Sequence, residues 1–363
     1  MSRRVLDNRG SMRLATEIKR PPATLKQVDD GFSFEKHLAG IESCLQKRLA
    51  SHSRYPRELS ARLIASGGKR IRPLLLVATY ESLRNSVNSK PTEKCLEYED
   101  LYQLGAVAEL VHMATLFHDD VIDQSDERRA MPAAHVLNGN KIAILVGDYV
   151  YAEAFARLME RAFLYPSQKL AATIQQLVEG ELLQHEIVIS RSFDKSRLIQ
   201  IAELKTASLF SWCSEIGAWA TGERALLKEA HSLGHHLGLA FQIIDDTIDT
   251  LATTDLNNEF IKEFMASAPS YPLLLLCETS EESYRAWQDL PLAQDSHKRM
   301  IIAELLKKCR SPEVLERCRA RIDESLELAA EHVRALGSSD TLNSLVDQLK
   351  IRAEHALSGE KLL

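Results

Sequence analysis

The pattern Asp-Asp-x-Ile-Asp occurs twice in this chain, at residues 119–123 and 245–249, each time after an apolar run of helical composition. On an α-helix, residues four apart share a face. Asp119 and Asp123 therefore project together, and so do Asp245 and Asp249. Two such faces set against one another bring four or more carboxylates around one point, with Asp120 and Asp246 completing the donor set. Like charges in a partly desolvated cleft repel or raise each other's pKa, so this arrangement calls for cations. Hard oxygen donors suit Mg²⁺, which commonly bridges carboxylates to substrate phosphates. The alternative for either cluster alone is a solvated, acidic helix end.

The rest of the chain agrees with helices around a cavity. Leu, Ala, Glu and Lys recur at helical spacing across residues 34–51, 101–119, 141–161, 167–184, 196–221, 225–245, 272–290 and 312–336. Alternating strand patterns are absent. Breaks are expected at 66–68, 85–92, 131–132, 166, 251–258 and 268–272. The fold class is all-α, a single large helical domain over residues 31–363 around a deep central cavity, where facing helices build metal and ligand sites.

Composition narrows the function classes. The net charge of −6 gives no global attraction to nucleic acid, so anion binding must be local. Six cysteines without a CxxC spacing read as small buried hydrophobes in a reducing compartment. No segment is apolar enough to span a bilayer. Residues 1–30 carry Arg3, Arg4, Arg9 and Arg13 near serines, in the manner of a transit peptide, but Asp7, Glu17, Asp29 and Asp30 weigh against it. The expectation is a flexible extension on a cytoplasmic protein.

Local cations then stand out. Gly67-Gly68-Lys69-Arg70-Ile71-Arg72-Pro73 joins a glycine pair to a basic helix start, a combination that lets backbone and charge approach an anion. Arg128 and Arg129 follow Asp123 closely. They either pair with the aspartates or grip a phosphate, which Arg does in bidentate fashion. Lys205 lies within a helical run, where a lone lysine is most often a surface residue.

In this order, GGKRIRP (67–73), His112 through the first cluster to Arg129, Pro132-Ala-Ala-His135, Gly147-Asp148-Tyr149, Gly180-Glu-Leu-Leu-Gln184, Lys205-Thr206-Ala207 and Gly238 through the second cluster make the chain resemble the trans-polyprenyl (isoprenyl) diphosphate synthases, long-chain type, over roughly residues 35–350. The resemblance implies the isoprenoid synthase-type bundle. It implies head-to-tail addition of isopentenyl diphosphate to an allylic diphosphate, and a homodimer. Catalytic roles fall on Asp119, Asp123, Lys205, Thr206, Gln242 and Asp245. Mg²⁺ would be held by Asp119, Asp123 and Asp245 within the wider set that adds Asp120, Asp246 and Asp249. Arg128 and Lys205 would steady the leaving diphosphate. Gly68, Lys69, Arg72, His112 and Arg129 would hold isopentenyl diphosphate, and Thr206 and Gln242 would face the developing cation. Ala114 and Thr115 occupy the chain-length positions, and their small side chains imply a product longer than farnesyl. Tyr149, Tyr151 or Phe155 could close the tunnel instead. A long product would partition into membrane, giving transient membrane contact without an anchor.

The chain also departs from the pattern. Ala130 replaces a glycine, Gln348 a tyrosine, and the lysines expected near Asn258 and Ala268 are missing, leaving Lys262 as the segment's only cation. Two other function classes therefore stay open. One is a non-catalytic or regulatory subunit of a heteromeric synthase, favoured by the missing lysines. The other is a class I terpene cyclase, disfavoured by the second basic site.

Overall fold

The computed structural model describes residues 33–48, 51–86, 95–129, 131–192, 195–253 and 256–358. The expected N-terminal extension and Ala130 lie outside the described residues. Within them the chain is helical almost throughout. In chain order the helices are α1 (Phe34–Arg48), α2 (Arg54–Ala65), α3 (Ile71–Ser86), α4 (Tyr98–Ile122), α5 (Ala134–Asn138), α6 (Asn140–Glu160), α7 (Leu164–Ser190) and α8 (Lys195–Ala202). They continue as α9 (Ser208–Ala220), α10 (Leu227–Ala252), α11 (Asn258–Ala266), α12 (Tyr271–Thr279), α13 (Glu281–Asp289), α14 (Asp295–Cys309), α15 (Pro312–Ala335) and α16 (Asp340–Ser358).

Helix α10 is the axis of the molecule, packed against α9, α15 and α16. Its buried residues Ala230, Leu233, Leu237, Ala240, Ile244 and Thr247 recur at three- and four-residue steps, the period of a core-facing stripe. Gly234 and Gly238 let α9 approach closely. A Cβ on Gly234 would lie 2.4 Å from the Phe210 carbonyl oxygen, and one on Gly238 would lie 2.6 Å from the Ala207 Cα. Helix α4 packs on α6, and α3 lies between α4 and α9. One hydrophobic core runs through these layers from Phe34 to Ala353. Local signals fix several starts. The Ser311 hydroxyl caps α15 by accepting from the Val314 N–H, with Pro312 in the first turn.

Three expectations change. The helix read over 196–221 is unbroken but changes register at a π-turn, Glu203–Ala207, between α8 and α9. The helix read over 272–290 breaks at Ser280, whose side chain accepts from the Ser283 N–H and starts α13. Strand is also present, as a two-residue antiparallel pair in which Glu127 faces Pro132 and Arg128 faces Met131. No helix is long and apolar enough to cross a membrane among the described residues.

Candidate active site

A cavity of about 790 Å³ opens between α3, α4, α7, the π-turn and α10. It is lined by Gly68, Lys69, Arg72, His112, Thr115, Asp119, Asp123, Arg128, Arg129, Lys205, Thr206, Gln242, Asp245, Asp246 and Asp249. Residues drawn from distant parts of the sequence thus converge on one space. Of the site residues read from the sequence, Asp120 and Ala114 do not line it. Asp120 is 4% exposed and is taken up by Arg128, whose Nη2 lies 2.6 Å from Oδ1. Ala114 is fully buried in the core, whereas Thr115 faces the cavity and donates to the His112 carbonyl at 2.8 Å.

One wall is acidic. Helix α4 ends at the first cluster, with the Asp123 N–H donating to the Asp119 carbonyl at 2.8 Å. Burial raises Asp119 to about 7 and Asp123 to about 6, and Glu181 adds to both shifts while Lys205 opposes them. Across the cavity, α10 runs on past the second cluster to Ala252, so Asp249 stays on the helical face that its spacing predicts. Burial raises Asp246 to about 7 and Asp249 to about 6. Asp245 is also raised by burial, though Arg352 from α16 pairs with it.

The π-turn places Lys205 and Thr206 side by side on the cavity, and single π-turns of this kind often sit at functional sites. Lys205 pairs with Glu181 and donates to the Gln184 amide oxygen at 2.9 Å. Thr206 donates to the Gln242 Oε1 at 2.5 Å, and the Gln242 Nε2 donates to Asp246 at 2.7 Å. Asp246 also accepts from the Tyr271 N–H at 2.9 Å. Its carboxylate therefore orients Gln242 more than it faces open space.

The other wall is cationic. Arg72 is partly buried, and desolvation lowers its pKa. It lies 5.0 Å over the Phe210 ring, and its Nε has no hydrogen-bond partner among the described residues. Lys69 and Arg129 are likewise lowered by burial. Burial together with Arg72 and Arg129 pushes His112 well below the ordinary imidazole value, so it is neutral. Lys69, Arg72 and Arg129 gather on one side of the cavity, a place where an anion is expected.

Several lining residues were not assigned roles from the sequence. Glu109, Gln184 and Glu263 line the cavity, while Glu181 and Arg352 act on its lysine and aspartate. Ala268 lines the cavity where a lysine was expected, beside Glu263. Asn258 is turned to Arg299 instead, at 3.0 Å. Lys262 is exposed on α11 and does not line the cavity, so it does not stand in for the missing cations.

Residues 54–309 match the family model for polyprenyl synthetase. The chain belongs to the polyprenyl synthetase family. An octaprenyl diphosphate synthase of Escherichia coli (strain K12) is 28% identical over 315 residues, covering 85% of this chain and 93% of that protein. A decaprenyl diphosphate synthase from Rhodobacter capsulatus has a similar solved structure, with a TM-score of 0.75 and 26% identity over 89% of this chain and 97% of that one. A polyprenyl synthase from Caulobacter crescentus CB15, solved with calcium and isoprenyl diphosphate, has a TM-score of 0.70 and 27% identity, covering 89% of this chain and 95% of that one. The chain is thus a prenyltransferase with the all-α fold of its relatives.

Proposed function

We propose that this chain adds isopentenyl diphosphate head-to-tail to an allylic diphosphate, giving a trans-polyprenyl diphosphate longer than farnesyl. One observation carries the assignment of roles. A wall bearing Lys69, Arg72 and Arg129 shares a single cavity with two carboxylate clusters, and the cavity's volume is that of an ordinary small-molecule site. Two anions are accommodated differently there, one by direct cations and the other through carboxylates that need a metal between.

The donor chemistry fits Mg²⁺. The aspartates are hard oxygen donors whose pKa values are raised chiefly by burial, and a divalent cation would favour their charged form. Among the described residues no three His, Cys, Asp or Glu side chains are grouped so as to hold a metal ion by themselves. Bound through Asp119, Asp123 and Asp245, Mg²⁺ would neutralise charge on a departing diphosphate.

The chain's own groups supply the rest. Lys205, steadied by Glu181 and Gln184, places a fixed cation at the leaving group. Arg128 is committed to Asp120 and reaches the cavity from that anchorage. Lys69, Arg72, Arg129 and neutral His112 hold the diphosphate of isopentenyl diphosphate, with Gly68 allowing close backbone approach. Thr206 and Gln242 turn oxygen toward the developing allylic cation. Closure over the site keeps out water, which would quench that cation to an alcohol. The departing diphosphate accepts the proton lost after carbon–carbon bond formation, so no side-chain nucleophile is needed.

An exposed apolar face supports a homodimer. Val178, Leu182 and Ile189 are more than half exposed on α7, as is Leu145 on the adjoining α6. Six cysteines, five of them buried, support a reducing, cytoplasmic setting. The cationic wall weighs against a terpene cyclase, which needs only one diphosphate site.

A second reading is favoured by Ala268 and Glu263, namely a subunit that works only with a partner. The test is purified chain with Mg²⁺, labelled isopentenyl diphosphate and each of dimethylallyl, geranyl, farnesyl and geranylgeranyl diphosphate, with products resolved by length. Metal-dependent elongation beyond farnesyl is the expected result. A folded chain that elongates none of the four primers would establish the partner-dependent reading instead.

A further inference from the structure

The cationic wall contains one carboxylate that the proposed chemistry does not use. Glu109, on α4 one turn before His112, is 3% exposed. Its Oε2 accepts from the Arg70 Nη1 at 2.6 Å, and both side chains are buried. Arg70 has a φ of 48°, a left-handed conformation that carries a steric cost outside glycine. Its Nη2 reaches the Ile64 carbonyl at 3.4 Å, and its Nε lies 3.9 Å from Glu42.

The turn at residues 66–70 hangs on this pair. Gly67 takes a φ of 81° just before it. The Ser66 hydroxyl accepts from the Arg129 Nη1 at 3.2 Å, so the turn also carries Arg129, which is itself left-handed at φ 55°. A Cβ on Gly68 would lie 3.3 Å from the Arg129 Nη2 and 3.4 Å from the Arg70 Nη1. A continuous chain of contacts thus runs from α4 through Glu109 and Arg70 to the turn and on to Arg129. Of the three wall arginines, Arg70 alone is neutralised by a short buried pair. Arg72 and Arg129 stay available to an anion.

We propose that Glu109 is a positioning residue for isopentenyl diphosphate. By holding Arg70 it fixes the turn that aims Lys69, Arg72 and Arg129 at one diphosphate group. This rests on the proposed assignment of the cationic wall to that substrate. Two consequences of removing the Glu109 charge oppose each other. Coulomb attraction alone would tighten anion binding, because a nearby negative charge is gone. A buried guanidinium stripped of its partner is strongly destabilised, however, and the turn that it holds relaxes. The cations of the wall then no longer converge on one diphosphate, and this loss of geometry outweighs the gain in charge.

The experiment is Glu109→Gln, which keeps the shape and removes the charge, with elongation measured separately against each substrate. The KM for isopentenyl diphosphate rises by about tenfold or more, while the KM for the allylic diphosphate and kcat stay within a few-fold. Arg70→Gln gives the same split. The double variant is no worse than Arg70→Gln alone, because Glu109 acts through Arg70. An unchanged or lower KM for isopentenyl diphosphate, or an equal rise for both substrates, overturns the proposal. Should Glu109→Gln fail to fold, Arg70→Lys keeps the buried charge but loses the fork, and the same two results decide. Calorimetric binding of isopentenyl diphosphate covers the case of a wild-type chain that does not elongate. Weaker binding by the variant supports Glu109 even though the proposed activity has failed. Equal binding overturns Glu109, and no binding by the wild type overturns both.

Discussion

The two aspartate clusters share one pattern and are wired differently. In the first, the middle carboxylate, Asp120, is paired with arginine and turned from the cavity, leaving Asp119 and Asp123 to face it. In the second, the leading carboxylate, Asp245, carries the arginine, and the middle one, Asp246, accepts from Gln242 and the Tyr271 N–H. Burial nevertheless brings each cluster to a similar state, with one carboxyl raised to about 7 and another to about 6. A repeated motif therefore specifies a load of charge on a helix face. The neighbours decide which oxygen meets the ligand.

The largest expected effect tests whether the clusters are equivalent. Asp119→Asn and Asp245→Asn each lower kcat for elongation by about 10²- to 10³-fold or more, the scale for losing a group that stabilises transition-state charge. A Asp245→Asn enzyme that keeps most of its activity would break the comparison and leave the first cluster working alone.

An intermediate effect concerns pH. Carboxyls raised to about 6 and 7 hold protons that a cation must displace. The folded pKa values lie above the unfolded carboxylate value near 4, so these groups' contribution to metal-free stability is present below about pH 4 and is lost as pH rises through 6 to 7. Metal binding reverses that loss. The Mg²⁺ concentration giving half-maximal activity should therefore rise at least about tenfold between pH 8 and pH 5.5, measured by metal titration at each pH. A flat profile would mean that other groups hold the ion.

The smallest effect restores a missing cation. Ala268→Lys puts an ammonium on the cavity lining beside Glu263. It should lower the KM for the allylic diphosphate by about two- to fivefold, in keeping with a partly exposed charge. No change in steady-state kinetics would show that Lys69 and Arg352 already serve the second cluster.

The same contrast explains what was legible in the sequence. The all-α fold, both clusters and the basic turn are local features, carried by i, i+4 spacing and by adjacent residues. Arg128 sits eight positions from Asp120, and pairing between them was foreseeable. Arg352 is 107 positions from Asp245, and nothing in its own sequence neighbourhood marks it. The π-turn leaves no compositional trace, since Glu-Leu-Lys-Thr-Ala is ordinary helical sequence. Glu109 sits inside an apolar helical run, where its burial was a signal available from the pattern alone, because a lone buried acid needs a partner. The helices at 54–65, 295–309 and 340–358 follow helical spacing as well. The start of α13 also carried a readable sign, Ser280 followed by two glutamates.

Both clusters together are expected to hold a metal–diphosphate unit in one cavity. Thermal unfolding of the full chain with Mg²⁺, with inorganic diphosphate, and with both tests it without requiring turnover. The wild type should show a joint rise in Tm larger than the sum of the separate rises, and Asp119→Asn and Asp245→Asn should each abolish that excess. An excess that survives intact in Asp245→Asn would contradict the account.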